Sequence, residues 1–170
     1  MATEKKHGVP SNRLMRLPTR KRVRVFLSYA HKDERLRDEL DKHLSALKRS
    51  FVIETWHDRR IVPGAVLNSE IDIRLATADL VLPLISPDFI TSDYCYQKEM
   101  RAALDRHAAG DTRVIPIILR PVDWLGTPLG KLLALPRDGK PVTKWHRRDD
   151  ALLDIARGVR RAAEEILTHL

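Results

Sequence analysis

Residues 79–86 read "DLVLPLIS". Leu80, Val81, Leu82, Leu84 and Ile85 form an apolar run that does not alternate with polar positions. A strand with one face in water alternates; a strand covered on both faces does not, and such strands belong to parallel sheets layered by helices. The run therefore predicts a central parallel strand. Pro83 conflicts with it, because proline cannot donate to a ladder. The same conflict recurs at Pro116 in "TRVIPIIL" (112–119), a further apolar run. Each proline must fall at a bulge or where the neighbouring strand has ended.

Outward from this run, strands and helices alternate. Upstream lie "VRVFLSYA" (23–30) and "FVIETW" (51–56), both strand-like. Between them, Leu36, Leu40, Leu44 and Leu47 mark one stripe of an amphipathic helix over 33–49, with Asp33 as its N-cap. "HDRRIVPGA" (57–65) is a charged loop broken at Pro63-Gly64, and 66–78 reads as a helix with a broad apolar face. Downstream, "PDFITSDYCYQKEMRAALDRHAA" (87–109) is a turn and a helix, capped at Ser92 or Asp93. Residues 120–143 are rich in Pro and Gly, with a short fifth strand expected near Val142, and 147–170 form a last helix. The pattern predicts a flavodoxin-like, doubly wound α/β fold: five parallel strands in the order 2-1-3-4-5.

The chain of 170 residues is 43% hydrophobic and 32% charged, suited to one folded domain. Its net charge of +8 is concentrated at one end. Residues 1–24 hold eight basic residues and one acidic, leaving 23 basic and 22 acidic residues beyond them. The expected organisation is a basic N-terminal tail over 1–21 and one domain over 22–170. A near-neutral domain argues against nucleic acid as a partner of the core. The N-terminus has no apolar segment of a signal peptide, and no run is long enough to cross a bilayer. The single cysteine, Cys95, allows no internal disulfide and points to a reducing cytoplasm.

In a doubly wound sheet, ligands bind beyond the carboxyl ends of the strands where the strand order reverses, here between strands 1 and 3. That rule brings Ser28, Tyr29, Asp58, Ser86 and the Tyr94–Glu99 segment toward one crevice. Several chemistries lack their residues. No G-x-G-x-x-G follows strand 1, and no phosphate-binding G-x-x-x-x-G-K-[ST] or nucleophile elbow G-x-S-x-G occurs. A phospho-receiver site would need an aspartate where Ser86 ends strand 3. His107, His146 and His169 are scattered, and no cluster has metal-ligand spacing.

"VFLSYAHKD" (25–33), "WHDRRIVPG" (56–64), "LPLISPDFITSDYCYQKEM" (82–100) and "VIPIIL" (114–119) occur in this order. Together they resemble the Toll/interleukin-1 receptor (TIR) domain family, in its bacterial form, over roughly residues 22–168. Many such domains cleave NAD+ between nicotinamide and ribose, giving ADP-ribose or a cyclic isomer. The resemblance implies NAD+ as substrate rather than cofactor, no metal, and Glu99 as the catalytic residue. The family often carries an aromatic four residues before this glutamate. Cys95 stands there, flanked by Tyr94 and Tyr96, and each tyrosine is a candidate for packing or for ring stacking. Cys95 itself reads as a small buried side chain rather than a nucleophile, since no histidine accompanies it.

Their place in the crevice marks Ser28, Tyr29, Asp58, Ser86, Tyr94 and Cys95 as expected substrate contacts, with Asp58 alternatively an assembly contact. The resemblance marks Arg59, Arg60, Ile61, Pro63 and Gly64 as an assembly loop that docks on a neighbouring protomer, with the two arginines alternatively meeting NAD+ phosphate. Expected partners are other TIR protomers, as a homo-oligomer or filament formed on activation, and a sensor domain or a separate sensing protein. The implied role is an NAD+-consuming effector of bacterial anti-phage immunity. The rival reading is a non-catalytic interaction module using the same loop.

Overall fold

The side chains of β3 (Leu80–Ile85) are all buried, so the run that suggested a central strand does lie at the middle of a sheet. The computed structural model describes residues 21–58 and 67–169. The predicted tail, up to residue 20, and the loop residues Arg59, Arg60, Ile61, Pro63 and Gly64 lie outside them. β1 (Val23–Ser28) pairs in parallel with β3 on one side and with β2 (Ile53–Trp56) on the other. β4 (Arg113–Val114) adds to the far side of β3, giving the order 2-1-3-4. The doubly wound parallel sheet is the fold the sequence predicts.

Two details differ, and proline explains both. The predicted fourth strand is interrupted: after β4 the chain pairs with β3 again only at β5 (Ile117–Ile118). The register is the same on both sides of the break, Val81 opposite Val114 and Leu84 opposite Ile117. Pro83 therefore faces Pro116. On its other side Pro83 pairs with Ser28, the last residue of β1. The two prolines thus share one gap in the ladder, where neither has an N–H to give. The expected strand near Val142 is a short 3₁₀ turn, Val142–Lys144. Among the described residues, the outer edge carries one isolated bridge, from Leu135 to Ile117. Its bonds run from Ile118 N–H to the Leu135 carbonyl (2.8 Å) and from Leu135 N–H to the Pro116 carbonyl (2.9 Å). Pro136 follows at once, so the pairing cannot propagate.

Side-chain parity along β1 divides the core. Val23, Val25, Leu27 and Tyr29 belong to one buried cluster; Phe26 and Ala30 belong to the other. The first cluster is closed by α1 (Glu34–His43), α2 (Ser45–Arg49) and α6 (Arg148–Thr168). Leu36, Leu40, Leu44 and Leu47 are all buried there, as their spacing predicts, against Leu152, Ile155 and Val159 of α6. The second is covered by α3 (Leu67–Thr77), α4 (Pro87–Thr91), a π-helical stretch (Asp93–Glu99) and α5 (Met100–Ala109). α3 is less apolar in its packing than its sequence suggests: Ile71 and Leu75 are buried, but Leu67 and Ile73 are exposed. α5 ends at Gly110, whose φ of +81° is the left-handed conformation that closes a helix at little cost for glycine.

Candidate functional site

Ser28 is even-numbered on β1, so it shares the face of Phe26 and points under α5 rather than under α6. Its hydroxyl donates to Oε2 of Glu99, the last residue of the π-helical stretch. Both residues are buried, Glu99 with only 6% of its surface exposed. Removal from water destabilises the charged carboxylate and pushes the Glu99 pKa up to about 7. The Ser28 hydroxyl opposes that rise, Asp58 and Asp72 add to it, and Lys98 opposes it. The group therefore titrates close to neutrality.

The two residues border a cavity of about 430 Å³. Phe26, Leu67 and Ile71 contribute its apolar wall, and His31, Lys32, Asn68 and Asp88 lie around it. Tyr29, Asp58, Tyr94 and Cys95 line it as well. The crevice inferred from topology thus gathers Ser28, Tyr29, Asp58, Tyr94, Cys95 and Glu99 around one space.

Tyr29 and Asp58 join the ends of β1 and β2: the Tyr29 hydroxyl donates to Asp58 Oδ1 at 2.6 Å. Burial, with the adjacent Asp58 carboxylate, raises the tyrosine pKa well above its ordinary value, so it remains a neutral donor. The Arg37 guanidinium sits 4.8 Å over the Tyr29 ring, and its Nη1 lies against the ring nitrogens of His57. Arg37 ion-pairs Asp38 at 2.8 Å. Its position on α1, within a run of charged residues, disguised a buried arginine as a solvated one.

Cys95 donates its thiol to the Tyr29 carbonyl (Sγ–O 3.3 Å). Burial pushes the thiol pKa up to about 11, so little thiolate exists at neutral pH. A thiol held in this way is a packing group and a poor nucleophile.

Ser86 departs from its expected place. It is buried, does not line the cavity, and is spent on structure. Its Oγ accepts from Phe89 N–H at 3.0 Å, capping α4, and donates to the Asp33 carboxylate. Asp33 likewise is not the side-chain cap of α1 that its position suggests. Its carboxylate accepts from Arg120 Nε at 2.8 Å. Arg120 also pairs with Asp88, which faces Lys32 at 3.6 Å and whose carboxyl this arginine holds below the usual range. The cluster ties the ends of β1, β3 and β5 beside the cavity. Sequence reasoning missed Arg120, although it follows an apolar strand on the ligand-binding rim, the same signal that singled out Ser28.

The segment after α4 is also not an ordinary helix start. Ser92 caps it as expected, accepting from Cys95 N–H at 3.2 Å. The turn then widens, and Met100 N–H reaches back five residues to the Cys95 carbonyl. Among the described residues, no group of three or more His, Cys, Asp or Glu side chains could hold a metal, and no helix is long and apolar enough to cross a membrane.

The profile of the TIR domain family matches residues 25–155. A protein of Sinorhizobium fredii, the uncharacterized protein y4lF, is 56% identical over 142 residues. The match covers 84% of this chain but 44% of that protein, so this chain spans less than half of its relative's length. Among solved structures, the TIR domain of the Toll-related receptor TRR-2 from Hydra magnipapillata is similar, with a TM-score of 0.58. That likeness covers 82% of this chain and 97% of the other at 22% identity, and speaks for the fold alone. With the parallel sheet and the extent of the family match, the chain belongs to the TIR domain family.

Proposed function

We propose that this TIR domain cleaves NAD+ at the bond between nicotinamide and ribose, with Glu99 as the catalytic carboxylate. The observation that carries the proposal is a buried glutamate, held by a single serine hydroxyl, at the carboxyl-end rim of the sheet and facing a cavity. The chemistry asks for little else. As the C1′–N1 bond breaks, its electron pair leaves with nicotinamide, which departs neutral and needs no proton. The ribose carbon becomes oxocarbenium-like, as in glycoside hydrolysis. A carboxylate in a water-poor cavity stabilises that charge far better than one in solvent. Water then adds to C1′ and releases a proton, giving ADP-ribose; capture by a nucleophile of the adenosine half gives a cyclic isomer instead.

Only the ionised form of Glu99 serves this step, so the reaction quickens as pH rises through about 7 in the free enzyme. In the family, TIR domains commonly interact with one another. We infer that activity follows assembly through the loop at 57–64, with sensing supplied by a further domain or a partner protein, in an effector of bacterial antiviral immunity. The test is to incubate concentrated or crowded protein with NAD+ and separate nicotinamide and ADP-ribose isomers by chromatography. Cleavage by the wild type and none by Glu99→Gln is the expected result. Cleavage that survives Glu99→Gln and Glu99→Ala overturns the assignment of Glu99. Absence of cleavage under every assembled condition favours the non-catalytic interaction module.

A further inference from the structure

On an α-helix, the residue four before Glu99 would share its face, and that residue is Cys95. The stretch Asp93–Glu99 is π-helical instead, with bonds spanning five residues. This ladder brings the residue five before, Tyr94, alongside Glu99 as well. The cavity reflects the shift: Tyr94, Cys95 and Glu99 all line it. Tyr96 faces away, lining a separate hollow of about 680 Å³ with Met100, Leu104 and Leu129.

Two further facts concern the Tyr94 side chain. Lys98 Nζ lies 5.4 Å from its ring centroid, so a cation already occupies one ring face. Its hydroxyl oxygen is buried and has no hydrogen-bond partner among the described residues. Buried polar groups are nearly always paired, and this orphan belongs to a residue that lines the cavity. Burial, reinforced by the Glu99 and Asp72 carboxylates, pushes its pKa up to about 12, so the hydroxyl enters any complex as a neutral donor.

We propose that the Tyr94 hydroxyl, set beside Glu99 by the π-helical turn, is a substrate-recognition group that donates a hydrogen bond to an oxygen on the nicotinamide–ribose half of the dinucleotide. The proposal rests on the reading of this cavity as a site of NAD+ cleavage. That oxygen belongs either to the pyridinium carboxamide or to the ribose 2′-hydroxyl, and the experiment separates the two.

Initial rates are measured for wild type and Tyr94→Phe on three substrates: NAD+, a dinucleotide whose pyridinium lacks the carboxamide, and one with a 2′-deoxyribose on the nicotinamide side. Comparing the two proteins on each substrate cancels the substrates' own differences in reactivity. Tyr94→Phe is expected to lower kcat/KM on NAD+ about tenfold, the loss when one buried hydrogen bond goes unmade. The loss vanishes on the analogue that lacks the accepting group and persists on the other. An unchanged kcat/KM on NAD+, or an equal loss on all three substrates, overturns the proposal and makes Tyr94 a packing residue. If the wild type does not cleave NAD+, the parent reading fails separately. The hydroxyl is then judged by calorimetric titration of both proteins with NAD+: about tenfold weaker binding by Tyr94→Phe supports it, and equal or absent binding overturns it.

Discussion

The two faces of the sheet are built from the same strands and do different work. On one face, α1, α2 and the 21-residue α6 close a large hydrophobic cluster over β1 and β3, with the buried Arg37 against Tyr29 as its charged member. The other face has no helix as long as α6 among the described residues: it is covered by the five-residue α4, a widened π-helical turn, the ten-residue α5, and α3, which leaves Leu67 and Ile73 exposed. That patchwork leaves room for the cavity and for the buried pair Ser28–Glu99. Leu27 and Ser28 are neighbours in sequence, yet one belongs to the sealed face and the other to the open one. Long helices maximise apolar burial; broken ones leave space where polar groups can be kept dry and unsolvated. In this molecule the face under α6 is packed shut, and the proposed chemistry lies on the other.

The comparison breaks most readily at Glu99. Replacing it with glutamine should reduce NAD+ cleavage about a thousandfold, the size seen when a transition-state charge partner is removed, measured as nicotinamide released per assembled protomer. A loss below about fivefold would mean that the open face is not where the chemistry lies. On the sealed face, Leu152→Ala should cost about 3 kcal/mol through lost burial and a residual cavity. Its melting temperature should fall by about 6 to 12 °C, while cleavage per folded molecule at low temperature stays near wild type.

The third outcome links the faces. The fold raises the Glu99 pKa from 4.5 to about 7, so between those values the native protein holds more protons than the unfolded chain. The stabilising contribution of the protonated carboxyl is complete below pH 4.5 and is lost as pH rises through 7. Glu99→Gln cannot ionise and should therefore be more stable than wild type at pH 8, by on the order of 3 kcal/mol. Near pH 4 the two proteins should melt together. Equal melting temperatures at pH 8 would show that Glu99 is not desolvated.

A smaller effect is expected beside the cavity. Asp33→Ala removes the carboxylate shared by Arg120 and Ser86 and should cost about 2 kcal/mol, as for a hydrogen bond to a charged group, read by urea denaturation. The smallest is at Cys95, where Cys95→Ala should leave cleavage within about threefold of wild type, as expected for a side chain that packs but does not react. A loss comparable to that at Glu99 would reinstate the thiol as a reacting group.

Much of the fold was legible locally. Unalternating strands, the Leu36–Leu47 stripe and the order of elements suffice for a parallel, doubly wound sheet, because apolar periodicity reports directly which faces are buried. The strand-end rule then brought Ser28, Tyr29, Asp58 and Glu99 to one rim before any side-chain contact was known. Three features escaped. The expected fifth strand near Val142 is a 3₁₀ turn that meets the edge through one backbone bond, from Thr143 N–H to the Leu119 carbonyl, while the bridge at Leu135 has a proline directly after it. Ser86 and Asp33 were assigned by position to a ligand and to a helix cap. Their actual partners are each other and Arg120, which is 87 residues from Asp33 in the chain. Arg37 was not singled out, because charged neighbours surround it in sequence, while in space it is buried against Tyr29 and His57.

By itself, then, the sequence determined the family and the sheet and pointed to the carboxylate on which the proposed chemistry turns, since these depend on residue types and spacings along short stretches. Only the tertiary structure decided that Tyr94 rather than Tyr96 stands beside Glu99, and that the glutamate titrates near neutrality. The first depends on whether one turn of helix closes over four residues or five, and the second on how much water the folded chain excludes. Neither is a property of any residue alone.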